Sequence, residues 1–392
     1  MPASTRPAGP SPLATLIAGA LSLAIAMGIG RFAFTPMLPL MIQDGQLDVA
    51  AGGWLAAANY AGYLLGGLTA GRVRWSSVRL SVVALALTAA LTAAMALPAS
   101  LWPWMVLRLA VGLCSAWAFV GTSVWCLGAL AAAGRPAWGS NVYTGVGLGI
   151  ALAGLCCLAG AAASLSAAAL WLQLGLLALL LLVPVAVVLR KIHSHARPVV
   201  AHADARPDPG TPGLVICYGV MGFGYILPAT YLPVLARNVV EDPRWFGLAW
   251  PVFGLTAVLS IVVAGHLMRG GSRLQVWAAS HLLMGIGVLL PSLWLNGWGV
   301  GLSALLVGGT FMVATVAGVQ EIHGRASGDP TRLVSRMTTS FAIGQIAGPV
   351  VSSLLLHLPA FAADGLSLAL RTGAAALLLS ALWLWREAGN SR

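Results

Sequence analysis

The residue type hardest to reconcile with its surroundings is Arg31, in the stretch GIGRFAFTP (28–36). It lies inside an apolar run from near Leu13 to near Ile42, about eleven residues, or roughly 16 Å of helix, from the nearer end. A central arginine costs about 2.5–3.5 kcal/mol on a membrane-insertion scale, so it should face protein or a water-filled cavity. A permanent cation placed there can bind an anionic solute, or it can be held internally by backbone carbonyls. The next apolar run carries Gly52, Ala56, Asn59, Tyr60, Tyr63, Gly66 and Gly67 at spacings of three and four, a small and polar stripe on one helical face. Close helix packing accounts for the glycines, whereas Asn59 and Tyr63, one turn apart, could hydrogen-bond a solute or hold Arg31.

Other ionisable groups lie within or beside apolar runs. Arg108 reads either as a conformational or coupling residue or as an interfacial anchor beside Trp102 and Trp104. Arg371, with Asp364 two turns away, reads as half of a structural pair. Of the ten acidic residues, nearly all fall between runs. The two candidates for a proton carrier are Glu321, in VQEIHGR, and His281, in ASHLLMG, the latter also readable as a packing histidine. Deep cations without acidic neighbours favour an anionic ligand such as a carboxylate.

The chemistry that is missing narrows the class. No Ser/His/Asp grouping, paired carboxylates, phosphate loop or metal-ligand cluster occurs at useful spacing, which argues against an enzyme and against any cofactor. All five cysteines lie in apolar runs and read as packing residues. The net charge of +11 comes from basic residues scattered singly through short connectors, without the patch a nucleic acid would need.

The elements that must position these groups follow from composition. Charged residues make up 8% of the chain and hydrophobic ones 59%, with a mean hydropathy of +0.90, so the solvent is lipid. Runs of about 20 apolar residues suit membrane helices. Twelve are expected, at about 13–42, 50–71, 77–97, 102–131, 140–163 and 167–190, then 213–236, 245–268, 274–295, 299–321, 334–357 and 365–386. The expected organisation is an N-terminal six-helix bundle (1–190), a polar linker (191–212) and a C-terminal six-helix bundle (213–392). With the N-terminus cytoplasmic, sixteen basic residues fall on its side of the membrane and only Arg237 and Arg244 on the other. That bias places both termini in the cytoplasm.

The halves are related by a constant offset. GIGRFAFTPMLPLM (28–41) aligns with GFGYILPATYLPVL (222–235), pairing Gly28 with Gly222, Gly30 with Gly224 and Pro39 with Pro233. The same offset pairs Gly53 with Gly247 and Arg79 with Arg273, and it sets Tyr225 at the position of Arg31. Parallel repeats of this kind build a pseudo-symmetric fold with its site near the midplane, between the halves.

This pattern resembles the major facilitator superfamily over essentially the whole chain. GRVRWSSVRL after the second run and GHLMRGGSRL after the eighth are similar to that superfamily's gating loop, which implies gating roles for Arg72, Arg79 and Arg273. The usual acidic residue after the first glycine is replaced by Arg72 and His266, which calls the family's charge-relay latch into question. RLAVG (108–112) is similar to the Arg-x-x-x-Gly motif, which implies coupling for Arg108, and GQIAGP (344–349) resembles the glycine–proline packing motif. GIGRFAFTPMLPLM followed by AGGWLAAANYAGYLLGGL is similar to the YbfB/YjiJ type of bacterial facilitators.

The resemblance implies an all-α membrane protein, twelve transmembrane helices in two pseudo-symmetric six-helix bundles, in the bacterial inner membrane. The expected activity is secondary transport of a small solute by alternating access, with an organic anion as the leading class. Arg31, Asn59, Tyr63 and Tyr225 are the expected binding residues. Drugs, sugars or amino acids remain the alternative, with Arg31 structural, and a non-transporting sensor is a more distant one. The expected partners are the solute, membrane lipid and a coupled proton or counter-anion, with a monomer as the default.

Overall fold

The computed structural model of the chain describes residues 10–97, 100–192, 211–237, 239, 247–267, 272–325, 331–361 and 363–390. Residues 193–210 of the expected linker lie outside these, as do Arg6, Arg244, Arg392 and the side chain of His266.

Twelve long helices are described. They are α1 (Pro12–Gln43), α2 (Val49–Ala70), α3 (Ser77–Ala94), α4 (Leu101–Ala132), α5 (Thr144–Ala162) and α6 (Ala167–Leu189). After residue 210 follow α7 (Thr211–Arg237), α8 (Ala249–Leu267), α9 (Arg273–Leu293), α10 (Gly297–Arg325), α11 (Thr331–His357) and α12 (Gly365–Asn390). Each matches one expected run to within a few residues.

By length and hydropathy, ten helical segments among the described residues can cross a membrane. The second helix does not qualify because glycines, Asn59 and two tyrosines dilute its apolar content. Side-chain caps fix several helix starts, as at Asp48, which accepts from Ala51 N at 2.7 Å, and Ser76, which accepts from Arg79 N at 3.2 Å. Asp44 accepts from Ala167 N at 2.7 Å, tying the end of α1 to the start of α6.

Within the first six helices, α4 packs on α2 and α3, and α3 on α6; within the last six, α9 packs on α10 and α12, and α7 on α11. Contacts between the two sets run mainly through three pairs: α1 with α7, α2 with α11 and α5 with α8. Under the 194-residue offset that relates Thr35 to Ala229, α2 and α5 correspond to α8 and α11, so the last two pairs are equivalent. GVGLGIALAG (145–154) is a packing surface: a Cβ on Gly149 would strike the backbone of Ala24 and Gly28, and one on Gly147 would strike Gly254.

Candidate functional site

The middle of α1 is not an α-helix. Residues Ala24–Phe32 form a π-helix, whose wider turn changes which backbone groups can pair. Pro36 has no N–H to offer the carbonyls of Phe32 or Arg31, four and five residues earlier. Arg108 supplies donors from outside: Nη1 donates to Gly30 O at 3.1 Å and Nη2 to Arg31 O at 3.0 Å, with the Phe34 ring centroid 4.8 Å from its Cζ. Arg108 is 1% exposed, far from an interfacial anchor. It is a clamp on the backbone of the helix that carries Arg31.

Arg31 is 2% exposed, and its guanidinium lies over the Tyr63 ring, 3.9 Å from the centroid, with Tyr60 and Phe32 each at 5.1 Å. Its Nη2 donates to Gln345 Oε1, and Gln345 Nε2 donates to the Tyr225 hydroxyl. The cation is thus held by an uncharged amide and three aromatic faces. Among the described residues the ion pairs are Arg325 with Glu321 and with Glu387, so no carboxylate neutralises Arg31. Its Nε has no acceptor.

Of the residues expected to bind, the structure gathers Arg31, Tyr63 and Tyr225. Asn59 is turned elsewhere: its Nδ2 donates to Arg108 O at 2.9 Å, joining α2 to the clamp. Gln345 is the polar residue that sequence reasoning passed over, because GQIAGP read as packing. It is fully buried, and its place in an apolar run was the available signal. Tyr225 is stacked between Phe311 (centroids 5.4 Å, planes 4° apart) and Phe341 (5.6 Å, 11°).

The expected coupling and gating residues other than Arg108 lie apart from this layer. Both ring nitrogens of His281 are engaged: Nε2 accepts from Trp277 Nε1 at 2.8 Å, which leaves Nδ1 to donate to Ser380 Oγ at 2.9 Å. Glu321 pairs with Arg325 at 2.8 Å, and Arg325 with Glu387 at 2.9 Å, near the ends of α10 and α12. Arg72 is exposed, Arg79 stacks on Trp75 at 5.1 Å, and Arg273 donates to Gln320 O at 3.2 Å. Arg371 donates to Ser292 O at 3.1 Å, in place of the expected pairing with Asp364.

A second set of polar contacts joins the two helix sets on one side of the Arg31 layer. Thr35 Oγ1 donates to Ala229 O at 2.5 Å, Arg237 Nη1 to Pro39 O at 2.5 Å, and Ser353 Oγ to Ala50 O at 3.0 Å. The Tyr231 hydroxyl and Ser352 Oγ are 2.7 Å apart beside them.

Long apolar helices surrounding a buried polar layer are the architecture of a multi-pass membrane protein. The chain belongs to the MFS-type transporters, matching the family model described as an uncharacterised MFS-type transporter YbfB over residues 23–384. Among solved structures it is similar to the nucleoside transporter NupG, at 13% identity, with a TM-score of 0.66 over 95% of this chain and 98% of that one. It is also similar to a single-residue variant of the peptide transporter POT, at 16% identity, with a TM-score of 0.72 over 95% of this chain and 94% of that one. A search of the curated proteins found no match. The family and these neighbours are transporters, and the likeness to them establishes the fold.

Proposed function

We propose that the protein is a secondary transporter moving a small organic anion across the bacterial inner membrane by alternating access. Its twelve helices would form two pseudo-symmetric six-helix bundles, with both termini cytoplasmic and α1 and α7 on the axis between them. The equivalence of the α2–α11 and α5–α8 contacts supports that symmetry. Arg31 would take the anionic group, with Tyr63, Gln345 and Tyr225 around it. One observation carries the reading: a fully buried guanidinium between the halves, whose partners among the described residues are all neutral. A buried charge left without a counter-charge is costly, and an anionic ligand offsets that cost.

In this orientation the contacts of Thr35, Arg237 and Ser353 close the periplasmic side, and opening them while closing the cytoplasmic side would complete the cycle. Uptake of a monovalent anion runs against an inside-negative potential by about 2.3 kcal/mol per 100 mV, which favours export, exchange or proton coupling.

The test is flux into proteoliposomes under imposed pH and potential gradients, using organic acids that stabilise the purified protein. Arg31→Gln should abolish flux of the acids. Undiminished flux in that variant would refute charge recognition. The bridge from Arg31 through Gln345 to Tyr225 also favours a second reading, in which Arg31 is structural and the solute is neutral.

A further inference from the structure

Building on the anion reading, we infer that the solute is a planar aromatic monocarboxylate with a hydrogen-bond acceptor on its ring. Its carboxylate would sit on Arg31 and its ring against Phe32 and Trp250.

The charge of the ligand follows from counting what is free. Two guanidiniums are buried in this layer, and Arg108 is committed to the carbonyls of Gly30 and Arg31. Both terminal nitrogens of Arg108 are occupied by those carbonyls, which leaves Arg31 as the cation among the described residues for a ligand; that suits one negative charge and leaves a dianion half unpaired. With Tyr63 against the guanidinium face, a carboxylate must approach along the edge, where Nε lacks an acceptor. A carboxylate oxygen can also take the place of Gln345 Oε1 on Nη2, because both present the same kind of acceptor.

The shape of the ligand follows from the side chains packed around Arg31. Aromatic rings run from Phe32 to Trp250 (6.4 Å between centroids), Phe253 (4.9 Å), Phe311 (5.7 Å) and Tyr225 (5.4 Å). Gln345 then leads from Tyr225 back to Arg31, closing a circuit contributed by α1, α8, α10, α7 and α11. These rings pack on one another in this state, and a flat π system entering among them as the helices part would keep ring-on-ring contact that an aliphatic one of equal size would not.

The ring substituent follows from Trp250. This side chain is wholly buried, yet its Nε1 has no hydrogen-bond partner. A buried indole N–H normally finds an acceptor, and a hydroxyl or carbonyl oxygen on the ligand ring supplies one.

Isothermal titration of the purified protein with benzoate, 4-hydroxybenzoate, cyclohexanecarboxylate and benzamide tests each element. Benzoate should bind about tenfold tighter than cyclohexanecarboxylate, and 4-hydroxybenzoate about five- to tenfold tighter than benzoate. Trp250→Phe, which keeps a ring but removes the N–H, should bring 4-hydroxybenzoate down to the affinity of benzoate in the same variant, and a melting temperature near the parent's reports a folded protein. Arg31→Gln should abolish binding of all three acids; should it fail to fold, Arg31→Lys should retain weakened binding. Equal affinity for cyclohexanecarboxylate and benzoate, both lost with Arg31, overturns the aromatic inference and leaves the anion reading standing. Benzamide binding as tightly as benzoate, unchanged in Arg31→Gln, overturns the anion reading together with this one. A persistent preference for 4-hydroxybenzoate in Trp250→Phe, or no binding of either aromatic acid, also overturns the inference.

Discussion

Arg31 and Tyr225, repeat partners under the offset of 194 residues, are joined through one side chain. Gln345 accepts from Arg31 with its amide oxygen and donates to the Tyr225 hydroxyl with its nitrogen. The residue where one half carries a cation and the residue where the other carries a phenol therefore report on each other.

Substituting that bridge should separate stability from recognition. Gln345→Glu places an internal anion beside Arg31, so the melting temperature should hold or rise while acid binding is lost to competition. Gln345→Leu leaves a buried cation without its acceptor and should cost about 1.5–3 kcal/mol in stability. Thermal unfolding and ligand titration on the two variants check both outcomes; tight acid binding by Gln345→Glu would argue against Arg31 as the anion's partner.

Arg108 should behave as a backbone clamp. An ammonium cannot present the planar fork that reaches Gly30 O and Arg31 O together. Arg108→Lys is expected to lower stability by about 1.5–3 kcal/mol, and Arg108→Met by more. A melting temperature equal to the parent's in either variant would contradict the assignment.

The contact of α1 with α5 tolerates no side chain at Gly28, where a Cβ would meet the backbone of Gly149. Gly28→Ala should therefore destabilise by about 1–3 kcal/mol as the helices are pushed apart. Gly67→Ala, on an open stretch of α2 with nothing within 4 Å, should be neutral or gain about 0.5–1 kcal/mol. Comparable losses in the two variants would mean that this close approach is unimportant.

Thr35 and Ala229 touch across the two helix sets, and the proposed alternating access requires them to part. In a chain whose five native cysteines are replaced, Thr35→Cys with Ala229→Cys should form a disulfide on oxidation. Flux should stop when the bond forms and return on reduction. Undiminished flux through the crosslinked protein would show that these helices do not separate during transport.

Glu321 and His281 are engaged in local contacts that do not include Arg31, so neither should carry a proton coupled to the proposed transport. Glu321→Gln should change stability by less than about 1 kcal/mol, since it weakens one partly exposed ion pair. His281→Gln should cost about 1–3 kcal/mol by disturbing Trp277 and Ser380. In both, the pH profile of flux per folded molecule should match the parent's; a profile displaced in either variant would identify a carrier.

Helix positions were readable because lipid demands long apolar runs, and the match to within a few residues at both ends of α4 and α6 reflects that single requirement. Arg31 stood out for the same reason inverted: charge is costly in such a run. Gln345 did not, because an uncharged amide carries no comparable signal. Gln173, also within an apolar run but six residues from the start of α6, is exposed, so residue type within an apolar run could not separate the two. The role of Arg108 was hidden for a different reason. It serves backbone carbonyls of a π-helical segment, and the sequence marks that segment only through two glycines and Pro36. Asn59 shared a helical face with Tyr63, but a face is wide enough to send one side chain to Arg31 and the other to α4.

The lack of a carboxylate beside Arg31 has an electrical meaning. Under the anion reading, the empty site carries one positive charge and the occupied site none. The membrane voltage would then act on the unloaded protein as it resets and leave the loaded crossing nearly untouched. Turnover would be limited or driven by the return stroke, so an inside-negative cell would set the pace of the carrier when its cargo is absent.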